Sequence, residues 1–129
     1  LHGDILTDLA AVLSGGMGLS PSSNINPSER SYPPLFEPTH GSGPALVGEG
    51  RADPRAMMLS AALMLEWMGE ADPRATAAAQ AIRHAVSADL AENGPSARGT
   101  DRIARSILER VQQGPSQTWR DWDQQEVWT

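Results

Sequence analysis

Apolar residues spaced three and four apart organise most of this chain. In GDILTDLAAVLSGG, Ile5, Leu6, Leu9, Val12 and Leu13 fall along one side of a helix predicted over 3–14, because residues at those spacings stack on one helical face. Gly15 and Gly16 end it. From Gly18 to Asp53 the helical period disappears. LSPSSNINP and PPLFEP, bounded by Pro, Ser and Asn, predict two or three short strands joined by long loops. The period returns in ADPRAMMLSAALMLEWMGE, where Asp53 is placed as N-cap, Pro54 as the first helical residue and Gly69 as the stop. Met57, Met58, Ala61, Met64, Leu65 and Met68 make that helix apolar over most of its circumference, which predicts a buried element. The pentapeptide ADPRA recurs at 71–75 and opens another helix, with Ala75, Ala78, Ile82, Ala85, Val86 and Leu90 on one side before Gly94 and Pro95. The residues after the two copies do not match, so the recurrence is reuse of an Asp-Pro helix start. Thr100 is expected to cap a last helix carrying Ile103, Ile107, Leu108 and Val111, closed by Gly114 and Pro115. The pattern gives an α/β chain, mostly helical, with about four helices and two or three short strands.

A chain of 129 residues has the length of one domain and buries roughly two thirds of the surface its unfolded form exposes. The net charge of -6 argues against a nucleic-acid partner, whose phosphates call for clustered Lys and Arg. No window supplies the ~18 apolar residues of a membrane span, and no basic-then-apolar leader opens the chain, so a cytoplasmic protein is expected. With no cysteine, disulfides, thiolate metal sites and cysteine nucleophiles are excluded, leaving carboxylate, imidazole and hydroxyl chemistry. A helix beginning almost at Leu1, without a start methionine, suggests a piece of a longer chain; a frayed first helix is the plainer alternative.

Asp4 and Asp8, four apart, project from one edge of the first helix about a turn from each other, a spacing that lets two carboxylates share Mg2+ or Mn2+. The same pair suits the positive end of the helix dipole without any metal. FEPTHGSGPALVGEGRADP, residues 36–54, holds four glycines, three prolines and His40, so it is either a binding loop or a linker. His40 suits a ligand or base, or a structural hydrogen bond. His2 and His84 have no partner at ligand spacing, and His84 is expected on a solvated helix face. No nucleophile-elbow, P-loop or dinucleotide glycine motif is present. The tail at 116–129 carries Trp119, Trp122 and Trp128, apolar bulk that predicts docking onto the body at 1–115 or onto a partner; an incidental disordered tail is the alternative.

In order along the chain, these segments resemble the C-terminal part of the β-decarboxylating dehydrogenases, the family of isopropylmalate, isocitrate, tartrate and D-malate dehydrogenases. GDILTDLAA is similar to the family's metal helix, GGMGLSPSSNI to its glycine-rich crossing into a strand, FEPTHGSGP to its cofactor loop, and ADPRAMMLSAALMLEWMG to the helix that follows. The NINP and FEP wording leans toward the isopropylmalate, tartrate and D-malate branch. The resemblance implies an isopropylmalate-dehydrogenase-like fold and an NAD cofactor whose adenosine half rests on the loop. Backbone groups of Gly41, Ser42 and Gly43 would face the nucleotide, His40 would lie on the adenine side, Glu37 would stand near the cofactor, and Asp53, where Asn is usual, would be a further cofactor-binding residue that can also serve in capping. Asp4 and Asp8 would be two carboxylates of a divalent-metal site that polarises the oxygen of a 2-hydroxy acid.

Two departures qualify the likeness. Family members are far longer: the arginines that clamp substrate carboxylates, the proton-moving tyrosine and lysine and a third metal aspartate all precede the metal helix. After the His-Gly-Ser-x-Pro run, this chain has Ala45 and Leu46 where NAD-preferring members have Asp and NADP-preferring members Lys, so NAD binding is expected to be weak. The first reading is the C-terminal portion of an NAD- and metal-dependent oxidative decarboxylase of 2-hydroxy acids, not competent alone. Its partners would be a complementary N-terminal half or a second copy of the chain, through the first helix. The alternative is a truncated relative repurposed for binding, dimerisation or new catalysis.

Overall fold

In the computed structural model, residues 16–29, 31–95 and 98–114 are described. The predicted helix at 3–14, with Asp4 and Asp8, and the tryptophan-bearing tail lie outside the described residues. After a turn of 3-10 helix at Met17–Leu19 come two strands, β1 (Pro21–Asn24) and β2 (Leu35–Pro38), a second short turn at Pro44–Leu46, and three helices, α1 (Arg55–Met68), α2 (Pro73–Asn93) and α3 (Thr100–Gln113). This is an α/β arrangement, and its described elements match the pattern of short strands followed by helices.

The two strands pair antiparallel, with Pro21 opposite Pro38 and Asn24 opposite Leu35. The Thr39 amide extends the ladder by donating to the Ser20 carbonyl at 3.1 Å. Along β2 burial alternates: Leu35 and Glu37 are exposed, Phe36 half-buried and Pro38 buried. Period-two alternation marks a strand with one covered face, and the cover is α1, which packs against both strands. Phe36 meets Trp67 of α1 with ring centroids 6.4 Å apart and planes inclined by 56°, within the range of favourable tilted aromatic pairs.

The chain reverses at Gly69, whose amide caps α1 by donating to the Leu65 carbonyl at 2.8 Å. Gly69 keeps right-handed dihedrals, φ -62°, so glycine is required here for space. A Cβ would lie 2.1 Å from Thr76 Oγ1 and 3.1 Å from the Thr76 nitrogen. This close approach lets α2 return along α1. Ala56 and Ala62 of α1 and Ala79 of α2 are fully buried, small side chains that permit near backbone contact. The main apolar cluster is Ala85, Val86, Ile103 and Ile107, flanked by Met58, Leu59, Ile82, Leu90 and Val111.

Several expectations need correction. Helix α1 is not buried all round: Met57, Met64 and Met68 are exposed, because strands and α2 cover only part of its circumference. Ala79 rather than Ala78 is buried on α2, and His84 is half-buried rather than on a solvated face. Thr100 does not cap its own helix. Its N-cap is Gly99, and the Thr100 hydroxyl instead donates to the Ala52 carbonyl at 2.6 Å, because tertiary contact with the loop before α1 competes for it. Leu108 is exposed while its neighbour Ile107 is buried.

Candidate functional site: a glycine-rich loop held at both ends

The 36–54 segment leaves the sheet through β2 and returns to the body at α1. Glu37 sits opposite Ser22 on the exposed face of its strand, and His40, Gly41 and Ser42 follow it on the surface. His40 Nδ1–H donates to the Gly41 carbonyl at 3.0 Å. Since a carbonyl only accepts, Nδ1 is the donor in this contact, and Nε2 is left for another partner. Gly43 lies in the left-handed region, φ 54° and ψ 52°, which L side chains adopt only at a cost. It redirects the chain into the Pro44–Leu46 turn, and the Leu46 amide closes that turn on the Gly43 carbonyl at 2.8 Å. Ala45 is exposed, and Val47 at the tip is 81% exposed. Residues 37 and 40–43 therefore present a polar, glycine-lined rim open to solvent.

The far end of the loop is held tightly. Asp53 Oδ1 accepts the Arg55 amide at 3.0 Å, the bond expected of a capping aspartate although the regular helix begins one residue later than predicted. Its Oδ2 accepts from Arg55 Nη1 at 3.0 Å. A Cβ at Gly18 would stand 3.2 Å from that of Asp53, so the glycine-rich crossing before β1 abuts the end of the loop. The Thr100 amide donates to the Gly50 carbonyl at 2.8 Å, alongside the Thr100 hydroxyl bond to Ala52.

Behind this junction lies a cluster that the pattern of apolar positions gave no place to. Arg55 and Asp89 are both fully buried. Arg55 Nη2 and Nε donate to Asp89 Oδ2 at 2.8 and 3.3 Å. Arg98 Nη2 reaches both carboxylate oxygens, 2.7 Å to Oδ1 and 2.6 Å to Oδ2, and Ser106 Oγ donates to Oδ1 at 2.8 Å. Burial alone would push the Asp89 carboxyl up, but the hydrogen bonds from Arg55, Arg98 and Ser106, with the charge of Arg98, outweigh it and hold Asp89 at about 2. A buried charge survives only when paired and hydrogen-bonded. The signal was present: Asp89 stands four residues after Ala85 and three after Val86, on the core face of α2.

The two ADPRA copies show what tertiary context adds. In each, the aspartate Oδ1 accepts the amide of the arginine two residues on, at 3.0 Å for both Asp53 and Asp72. Arg55 then turns inward to Asp89, whereas Arg74, exposed, folds back on Asp72 with Nη2 2.8 Å from Oδ2.

A second polar feature is an open depression of about 600 Å³ lined by Arg98, Asp101, Arg102, Arg105, Ser106 and Glu109. Its arginines are interleaved with acids, so it is not a uniformly basic patch. Among the described residues no group of three His, Asp or Glu side chains could hold a metal ion. None of their helices is long and apolar enough to cross a membrane.

The family model described as isocitrate/isopropylmalate dehydrogenase matches residues 1–109. The chain belongs to that family. It is 53% identical over 112 residues to 3-isopropylmalate dehydrogenase of Streptomyces avermitilis, covering 86% of this chain and 30% of that protein. It is 50% identical over 113 residues to the enzyme of the same name from Thermobifida fusca, again with 86% and 30% coverage. Among solved structures, isocitrate dehydrogenase from Methylococcus capsulatus matches 86% of this chain and 32% of its own, at 42% identity and TM-score 0.67. The TT0538 protein of Thermus thermophilus matches 90% and 23%, at 31% identity and TM-score 0.73. The chain thus spans about 30% of the length of the curated relatives it matches. The loop, its closing aspartate and the Asp89 cluster all lie within the matched residues.

Proposed function

We propose that this chain forms the cofactor-side portion of an NAD-dependent, divalent-metal-dependent oxidative decarboxylase of 2-hydroxy acids, of the isopropylmalate, tartrate or malate type, acting in the cytoplasm. The observation that carries this reading is the exposed rim of Glu37, His40, Gly41 and Ser42 on a loop anchored at both ends, in a chain similar at 53% identity to a 3-isopropylmalate dehydrogenase.

Each group on the rim has a role in holding adenosine. At Gly41 a Cβ would meet nothing within 4 Å, so the backbone there is open to close approach by a planar base or a ribose. The Nε2 lone pair of His40 accepts a hydrogen bond from an exocyclic amine, and Glu37 offers a carboxylate at the strand edge. Asp53, with both oxygens committed to Arg55, serves the site by closing the loop. Asp4 and Asp8 would hold the cation. A hard divalent cation takes about six oxygen ligands or more, so two carboxylates leave the remaining positions to substrate, water and another segment. Bound cation and nicotinamide supply Lewis acidity and hydride acceptance; the residues of the loop bind and orient the cofactor. The exposed face of Met57, Met64 and Met68 supports association with a complementary half or a second copy of the chain.

Ala45 follows the glycine turn with an exposed methyl and no acceptor for ribose hydroxyls, so NAD+ binding should be weak. Replacing Ala45 with Asp should tighten it by about ten- to a hundred-fold, the yield of one charge-assisted pair of hydrogen bonds. NADP+ should not improve, because the new carboxylate repels its 2′-phosphate. Titration calorimetry of both chains with both dinucleotides tests this. If Ala45→Asp leaves NAD+ affinity unchanged, or if neither dinucleotide binds at millimolar concentration, the loop is not a cofactor loop.

A further inference from the structure

We propose that Asp89, buried on α2 and remote from the loop in sequence, is a positioning residue that fixes the closing end of the 36–54 loop through Arg55 on one side and Arg98 on the other. Every link is a short polar contact. On the first side, Asp89 Oδ2 holds Nη2 of Arg55 at 2.8 Å, and the same guanidinium holds Asp53 Oδ2 through Nη1 at 3.0 Å. Since the Arg55 amide also caps Asp53 Oδ1, both carboxylate oxygens of Asp53 are set by one arginine whose other prongs rest on Asp89. On the second side, Arg98 is drawn in by both Asp89 oxygens. Two residues later, Thr100 donates its amide to Gly50 and its hydroxyl to Ala52. Ser106, further along α3, ties that helix to the same carboxylate. Residues 50, 52 and 53 are therefore positioned from two directions by a single charge.

Fixing this end matters because the loop has little else to hold it. Between Gly41 and Glu49 its backbone hydrogen bonds are local turns, from Leu46 to Gly43, Val47 to Pro44 and Glu49 to Leu46. Gly48 and Gly50 both have positive φ, 80° and 61°, conformations from which glycine escapes easily once an anchor is lost. Replacing Asp89 by a neutral residue leaves the guanidinium groups of the fully buried Arg55 and the part-buried Arg98 close together without the carboxylate between them. Arg55 then keeps Asp53 as its one carboxylate partner but loses the two bonds to Asp89 that orient its guanidinium.

The assignment deepens the proposed function and rests on it for the identity of the ligand, but the anchoring itself is measurable without one. Hydrogen exchange is followed at the Arg55 and Thr100 amides, which report the Asp53 cap and the Gly50 contact, and NAD+ affinity is measured by calorimetry on the same 129-residue chains. In Asp89→Asn both amides should exchange about tenfold faster than in the parent, with NAD+ binding weakened about tenfold. Asp89→Glu should fall between the two. Val86→Ala removes buried apolar volume from the same helix without touching the cluster. It should lower the melting temperature while leaving both amides and the affinity within about twofold of the parent. Should Asp89→Asn not fold, Ser106→Ala, which deletes one donor, should speed the same amides by about threefold. The proposal is overturned if Asp89→Asn and Ser106→Ala leave both amides at parent rates, or if Val86→Ala speeds them as much. Faster amides in a parent background that binds no NAD+ would uphold the anchoring and overturn only the dinucleotide reading.

Discussion

Strong acid should cost this protein stability through Asp89. In the folded chain that carboxyl titrates at about 2 against an ordinary 3.8. Burial works to raise it, but hydrogen bonds from Arg55, Arg98 and Ser106 and the charge of Arg98 favour the ionised form more strongly. That difference, at about 1.4 kcal/mol per tenfold in the proton equilibrium, corresponds to about 2–3 kcal/mol of stability at neutral pH. The folded value lies below the unfolded one. The contribution is therefore complete above the unfolded value and drains away as the pH falls through about 2. Substitution is harsher than protonation. With Asp89→Asn, Arg55 stays fully buried and Arg98 mostly so, with side-chain exposures of 0% and 18%; Arg98 loses the carboxylate it pairs with, and Arg55 keeps only Asp53. Breaking such a pair costs about 3–5 kcal/mol, a large share of the ~5–15 kcal/mol that holds a domain of this size. Urea unfolding of parent and Asp89→Asn at about pH 7, 4 and 2.5 measures both effects. The variant should be less stable at neutral pH by that amount, and its stability should fall less steeply across the acid range than the parent's. Comparing the two chains cancels the carboxylates that do not feel Asp89; Glu92, which a hydrogen bond from Arg110 holds below its usual range and the Asp89 charge pushes up, should titrate slightly lower in the variant. A variant within about 1 kcal/mol of the parent at neutral pH, or one with the same acid limb, would show that the cluster does not stabilise the fold in this way.

Gly69→Ala should destabilise by about 1–3 kcal/mol through overpacking against Thr76, since a Cβ there would stand 2.1 Å from its hydroxyl. Adding Thr76→Ala should recover part of the loss in thermal melts, and a Gly69→Ala chain as stable as the parent would refute the close-approach account. Arg83→Ala should cost less than ~1 kcal/mol despite its bidentate bonds to Glu66 at 2.6 and 2.7 Å, because both partners are over one third exposed and water screens them; a loss well beyond that in denaturant unfolding would place the pair in the core. Ile107→Ala, at 2% exposure, should cost about 2–5 kcal/mol by cavity formation, while Leu108→Ala next to it should cost under ~0.5 kcal/mol; equal losses in denaturant unfolding would contradict the packing of α3.

Local chemistry was legible in the sequence wherever the cause is local. Periodicity placed α1, α2 and α3 to within a residue or so, Pro and Asn marked the ends of two strands, and both Asp-Pro starts carry the aspartate-to-amide bond that their order demands. Segment order and wording likewise identified the family from the loop and the helix beside it. What periodicity did not reveal depended on neighbours distant along the chain. Identical ADPRA pentapeptides gave one arginine buried on Asp89 and another exposed on its own Asp72, because only the first faces α2 and α3. Thr100 gave its hydroxyl to Ala52, 48 positions away, rather than to its own helix. Asp89 occupies a core position on α2 that one-dimensional spacing reserves for an apolar side chain. A hydrogen bond or a buried charge is settled by which groups meet once water is gone, so local order fixes where helices begin and end. Only the packing of α1, α2 and α3 around one carboxylate decides which polar side chains turn inward and hold the loop.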